Sequence, residues 1–226
     1  MCGRFAITLP DDAMARLFAA APANDLPPVP NFNVCPTDPV HVVRGGDARA
    51  LVAMRWGFVP QWYGAPNDGP LLINARAETI AEKPAFRDAC RKRRCLLPTS
   101  GFYEWVKDGD GNRLPYFITR RDGAPLVMGG VWQDWEQGGA RHATCAVVTL
   151  AASADVAHIH HRMPLVLEPD DWAKWLGEEG KGAASLMQSA PVGTLQSWRV
   201  GMVVNSNRAT GAGLIAPLQQ GLHKPV

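Results

Sequence analysis

The residue with most chemistry to offer is a cysteine directly after the initiator methionine, in Met1-Cys2-Gly3-Arg4-Phe5. Once Met1 is removed, Cys2 carries an amine and a thiol on adjacent carbons, a 1,2-aminothiol. In unperturbed form the amine titrates near ~8 and the thiol near ~8.5, so both are partly available as nucleophiles at neutral pH. Such a group meets an aldehyde first through nitrogen, giving an imine, and then closes sulfur onto the same carbon to make a thiazolidine ring. Closure is intramolecular, so it has a high effective molarity and is harder to reverse than an imine alone. An aldehyde target is therefore implied. The same group also fits a hydrolase whose N-terminal cysteine attacks an amide carbon with its own amine as base. If Met1 stays, neither chemistry exists.

Three other segments can complete a site. Glu104 stands between aromatics in Gly101-Phe102-Tyr103-Glu104-Trp105, where partial desolvation suits a carboxyl to giving and taking protons. Taken singly, it also fits a solvated strand. His158, His160 and His161 put three imidazoles beside Arg162. A His-x-His pair can face one side of a strand, but no carboxylate or cysteine lies near it in sequence, so no metal is expected. Asn74 and Arg76, in NARAET, offer an amide that can hold a reacting group and a guanidinium suited to phosphate. Basic residues concentrate at Arg87, Arg91, Lys92, Arg93 and Arg94, and the chain has eight tryptophans. Charge with aromatic faces suits single-stranded nucleic acid, although a solvated helix face and core tryptophans give the same composition.

The elements that must position these groups are mostly strands. Apolar, β-branched or aromatic stretches at 41–44, 50–58, 94–97, 102–106, 116–119, 126–132, 143–150 and 198–204 are separated by Gly, Pro and Asp. Helices are expected at 13–20, opened by Pro10-Asp11-Asp12, and at 79–90, 154–158 and 170–176. No regular βαβ alternation is present, which points to an α+β or mainly-β fold. Residues 177–184 read as a surface loop, and those from about 213 as a docked or frayed tail of one domain over 1–226.

At 226 residues with 46% hydrophobic content, the chain can bury one substantial core. Its formal net charge of +2 is too small to announce a polyanion partner, so any nucleic-acid site must be a local cluster. Five cysteines without a C-x-x-C pair argue against a disulfide framework or a zinc ribbon, and fit reduced thiols in the cytoplasm. The N-terminus lacks a charged leader, and no window approaches about 20 apolar residues. A soluble, cytoplasmic monomer without cofactor or membrane partner is the expectation.

Together the segments MCGRF, NFNVCPT from Asn31, MRWGFVPQW from Met54, NARAET from Asn74, RRCLLPTSGFYEW from Arg93, HHRMP from His160 and VVN ending at Asn205 resemble the SOS response-associated peptidase (SRAP) family, nearly end to end. The resemblance implies a single compact mainly-β α+β domain with a few short helices and a positively charged DNA-binding channel leading to Cys2. It also implies covalent capture of abasic sites in single-stranded DNA. In that reading Cys2 is the nucleophile, Asn74 orients it, Glu104 and His160 move protons, and Arg4, Arg76 and Arg162 hold phosphates. Trp62 would stack against bases. A persisting imine would permit weak lyase activity, and ring reopening would permit self-release. The rival is a cysteine peptidase using Cys2, His160 and Glu104, the activity for which the family is named. Two positions depart from the family's pattern: Cys35 stands where alanine is usual, and His161 where an acidic residue is common.

Overall fold

A computed structural model describes residues 2–218. In chain order it contains β1 (Phe5–Ile7), α1 (Asp11–Phe18), β2 (Ala20–Pro22), β3 (Asn31–Val34), β4 (Pro39–Arg44), β5 (Arg49–Trp56), β6 (Asn74–Arg76), α2 (Arg87–Lys92), β7 (Arg94–Thr99), β8 (Gly101–Lys107), β9 (Arg113–Arg120), β10 (Leu126–Gln137), β11 (Ala140–Ala151), β12 (Arg162–Pro164), α3 (Trp172–Leu176) and β13 (Leu195–Arg199). The strands form a five-stranded sheet, ordered β13-β9-β8-β1-β3, and an eight-stranded sheet, ordered β12-β11-β10-β7-β4-β5-β2 with β6 on β11. The architecture is mainly β, as expected.

Side chains alternate across a strand, and β8 shows what that does here. Phe102 joins a large apolar cluster that also takes Phe5 and Ile118 from its own sheet and Leu51, Leu96 and Val147 from the other. Its neighbour Tyr103 joins a second cluster with Phe117, Val200, Val204 and Leu214. The five-stranded sheet is therefore buried on both faces, and the face carrying Phe102 looks toward the eight-stranded sheet. Glu104, two residues on, shares that inward face. Phe5 packs on Trp56 with ring centroids 4.9 Å apart, tying β1 to β5.

Four expected elements differ. The helix expected at 79–90 is confined to Arg87–Lys92, preceded by turns in which Lys83 N–H reaches Thr79 and Phe86 N–H reaches Lys83. Pro84 is the reason, since it lacks an N–H and disfavours helical backbone at Lys83. At 154–158 there is only a pair of turns, closed by Ala157 N–H on Ser153 O and His160 N–H on Val156 O. At 198–204, β13 starts earlier, at Leu195, and stops at Arg199, after which a 3-10 turn runs over Met202–Asn205. The first helix ends at Phe18, because Ala19 takes a left-handed conformation (φ 48°) and Ala20 begins a strand. From 213 the chain is docked as far as Leu218, whose N–H bonds Arg199 O at 2.9 Å. The rest of the expected tail lies outside the described residues, as does Met1.

Candidate active site

Cys2 enters the site on the start of β1. The register of β1 with β8 pairs Phe5 with Phe102 and Ala6 with Gly101, and Tyr103 N–H donates to Arg4 O at 2.9 Å. Continued by two residues, this register sets Glu104 against Gly3, beside Cys2. Both are buried, Cys2 at 0% exposure and Glu104 at 4%. Burial and then the neighbouring Glu104 charge push the Cys2 thiol well above the usual cysteine range. The unperturbed thiol expected from sequence is thereby corrected: in this setting it is held protonated.

Asn74 arrives on a different strand. β6 lies parallel on β11, with Asn74 against Val147 and Arg76 against Thr149, and β12 runs antiparallel to the same strand, with Arg162 against Ala151. From β6 the Asn74 Nδ2 donates to Cys2 O at 2.8 Å. Because that partner is a carbonyl, the amide orientation is settled, and Oδ1 is the face left over. Oδ1 is buried and accepts nothing among the described residues.

His160 belongs to the turn before β12. His160 Nδ1 lies 2.9 Å from the Arg162 N–H and 3.2 Å from the Arg162 carbonyl; the shorter contact, from a group that can only donate, makes Nδ1 an acceptor and assigns the neutral ring's proton to Nε2. Burial pulls the imidazole below its ordinary value, and the nearby Glu104 carboxylate opposes this. His161 stacks on it with centroids 4.4 Å apart. Cys2, Asn74, Glu104 and His160 thus gather from four separate segments.

Two clefts flank the group. One, of about 530 Å³, is lined by Gly3, Arg4, Glu104, Trp105, Lys107, Arg113 and His160. Three cations here face one carboxylate. The other, of about 510 Å³, includes Trp62, Asn74, Arg76, Lys83 and Phe86. Trp62 is 62% exposed, whereas Trp56, Trp135 and Trp175 are fully buried in the core. The arginines differ in freedom. Arg76 is exposed. Arg4 donates from Nη1 to Asn33 Oδ1 at 2.6 Å and Val204 O at 3.0 Å. Arg162 is ion-paired to Glu78, with Nη1 and Oε1 2.6 Å apart. In the basic run at 87–94, Arg94 spends its guanidinium on Cys90 O (2.8 Å) and Arg91 O (2.9 Å), capping α2.

Sequence reasoning gave no site role to Trp105 and Arg113, which line the first cleft, or to Asn205, which joins them. Trp105 Nε1 donates to Asn205 Oδ1 at 2.6 Å, and Asn205 Nδ2 donates to Arg113 O at 3.1 Å. The Arg113 guanidinium lies 4.9 Å from the Trp105 ring centre. Trp105 beside Glu104 and Asn205 at the end of VVN were the signals in the sequence; Arg113 comes from the facing strand of a hairpin.

No helix among the described residues is long and apolar enough to cross a membrane. Fold and site define a class: a two-sheet, mainly-β protein in which the carbonyl of Cys2 is held by an asparagine, with a glutamate beside it and a histidine lining the same cleft, all drawn from distant segments. The profile of the "SOS response associated peptidase (SRAP)" family matches residues 1–207, and the chain belongs to that family. It is 34% identical over 227 residues to the abasic site processing protein YedK of Escherichia coli K12, covering 96% of this chain and 100% of that one. With the abasic site processing protein YoaM of Bacillus subtilis 168 it shares 30% over 224 residues, covering 95% and 97%. A solved structure from Bacteroides thetaiotaomicron has the same fold, with a TM-score of 0.83 at 22% identity over 96% of this chain and 99% of that one.

Proposed function

We propose that this protein captures abasic sites in single-stranded DNA by forming a thiazolidine between the ring-opened deoxyribose aldehyde and the Cys2 aminothiol, after removal of Met1. The observation that carries the reading is the hold on Cys2: Asn74 fixes its carbonyl at 2.8 Å and keeps a second, buried acceptor in reserve, with Glu104 alongside. A side chain that only packed would not need its main chain aimed. The relatives named abasic site processing proteins supply the substrate class.

The Cys2 amine adds to the aldehyde carbon, and loss of water gives the imine. Asn74 Oδ1 is the acceptor available to the amine N–H during that step. The protonated thiol then adds across C=N: its proton leaves to Glu104, sulfur bonds carbon, and nitrogen takes up a proton. The sum is aldehyde plus aminothiol giving thiazolidine and water. His160, neutral with Nε2–H, hydrogen-bonds the sugar ring oxygen as the C1′–O4′ bond breaks, O4′ gaining a proton as the C1′ hydroxyl gives one up, so that ring opening leaves the imidazole neutral. Arg4 and Arg76, with Lys107 and Arg113, supply the cationic path for the phosphates, and exposed Trp62 a face for a base. An imine that persists allows β-elimination of the strand, a weak lyase activity, and reopening of the ring through Glu104 allows release.

The peptidase reading ranks second, because the relatives named abasic site processing proteins point to a DNA rather than a peptide substrate. The test is a denaturing gel of protein verified to begin at Cys2, mixed with single-stranded DNA bearing one abasic site. A heat-stable shifted band from wild type that is missing from Cys2→Ala supports capture. Its absence from wild type sinks it and moves the assignment to the peptidase.

A further inference from the structure

Asn33 stands in the NFNVCPT segment, to which no role has been given, and it is a buried polar side chain with both ends of its amide engaged. Its Nδ2 donates to Ser206 O at 3.2 Å and to Ala209 O at 2.7 Å, and its Oδ1 accepts from Arg4 Nη1 at 2.6 Å. Carbonyls only accept and a guanidinium only donates, so these partners fix which way the amide points. The Asn33 main-chain N–H is taken in turn by Asn31 Oδ1 at 2.9 Å.

What this amide holds is the arginine two residues beyond Cys2. Arg4 Nη1 is spent on Asn33 and on Val204 O at 3.0 Å, and Nε is buried without a partner. That leaves Nη2 as the arm for the cleft that Arg4 lines with Trp105 and Arg113. The guanidinium carbon lies 5.9 Å from the centre of the Trp105 ring. No carboxylate among the described residues pairs with Arg4. A neutral amide therefore aims the guanidinium without cancelling its charge, where a carboxylate would do both. The same amide ties β3 to residues 206 and 209, just beyond Asn205, whose Oδ1 holds Trp105 Nε1 at 2.6 Å. Asn33 thus braces both the cation of the cleft and the segment behind its aromatic.

We infer that Asn33 is a positioning residue for DNA binding, presetting Arg4 to receive a phosphate of the strand beside the abasic sugar. The inference deepens the DNA capture proposed above and rests on it. An arginine left free would have to be ordered when DNA arrives, which for one such side chain weakens binding about three- to tenfold. The test is a double-mutant cycle on equilibrium binding of undamaged single-stranded DNA across a salt series, with Asn33→Ala, Asn33→Asp, Arg4→Ala and the two paired variants. Thermal unfolding sets a temperature at which every variant is folded. Asn33→Asp keeps the shape of the side chain, so one arm of the cycle stands even if Asn33→Ala loosens the turn.

The expected result is that Asn33→Ala binds about three- to tenfold more weakly than wild type, and that this loss vanishes in the Arg4→Ala background. Asn33→Asp sets a carboxylate on the guanidinium, so its salt slope should be smaller by about one, as in Arg4→Ala. The same loss from Asn33→Ala with and without Arg4 would mean that the residue acts through the 206–209 segment alone, and would overturn the inference. Wild-type affinity in Asn33→Ala, or a wild-type slope in Asn33→Asp, would overturn it too. Wild-type protein that binds no single-stranded DNA would instead remove the function on which it rests.

Discussion

Replacing Asn74 by alanine removes the side-chain donor that reaches the Cys2 carbonyl and leaves β6 otherwise as it was, since β6 is held to β11 through main-chain pairing. Cys2 is fully buried, so its carbonyl loses a partner where water does not replace it. Leaving a buried acceptor unsatisfied costs about 1–3 kcal/mol. If that hydrogen bond aims the nucleophile, the loss falls on the transition state, and about 1.4 kcal/mol per tenfold converts it to roughly fivefold to a hundredfold in crosslinking rate. Asn74→Asp should be slower still, because a carboxylate of the same shape would set an oxygen against the Cys2 oxygen. The assay is single-turnover crosslinking to abasic single-stranded DNA on a denaturing gel, with thermal unfolding to confirm that both variants are folded. An alanine variant within about twofold of wild type, or an aspartate variant faster than alanine, would refute the aiming role.

Three further outcomes follow from the same structure. Cys2→Ser keeps the amine and loses the sulfur, so it should give a DNA adduct only when borohydride traps the imine, and no heat-stable band without it; a stable band from the serine variant would remove the thiol from the product. His41 is buried and neutral, because desolvation outweighs the Asp11 carboxylate at 2.9 Å from its Nε2. The unfolded chain takes up a proton near pH ~6.5 and the folded chain only below it, so stability is full above that pH and falls as pH drops through the lowered value. Melting temperature from pH 7.5 to 5 should fall less steeply for His41→Gln than for wild type. Gly130→Ala would bring a Cβ to 2.4 Å from Leu97 Cδ1 and 2.9 Å from Ala146 O at the centre of β10, a backbone contact that cannot turn aside. A loss of about 1–3 kcal/mol in urea unfolding is expected, and an unchanged midpoint would contradict the packing.

What was legible in the sequence follows the length of the elements. β4, β5 and β7 to β11 are six to twelve residues long. Their apolar runs announce them. The short β1, β6 and β12 have three residues each, too few for a period of two to register. Yet these three bring in Cys2, Asn74 and the Arg162 amide beneath His160. Their placement comes from tertiary pairing with β8 and β11, which no local pattern encodes. Residue type did suggest a nucleophile, an amide and two proton carriers. It did not say whether a guanidinium was already engaged: Arg162 and Arg94 have the same chemistry as Arg76, and only the fold shows their forks filled.

The buried thiol also constrains the order of events in the proposed reaction. An exposed aminothiol could present either nucleophile first, because its two groups titrate within about one pH unit of each other. Inside this site burial and the Glu104 charge both disfavour the thiolate. In the proposed reaction nitrogen would therefore lead, with sulfur adding only once its proton has somewhere to go. The group placed to receive it is Glu104, which the β1–β8 register sets against the chain beside Cys2, whereas His160 comes from the turn before β12 with Nδ1 already occupied. In the proposed reaction the two proton carriers would then separate by step: His160 for opening the sugar, Glu104 for closing the ring. A Glu104→Gln variant should then stall after the imine and accumulate borohydride-trappable adduct, while His160→Gln should slow imine formation itself. If both variants lose trappable and heat-stable adducts in the same proportion, this division of labour is wrong.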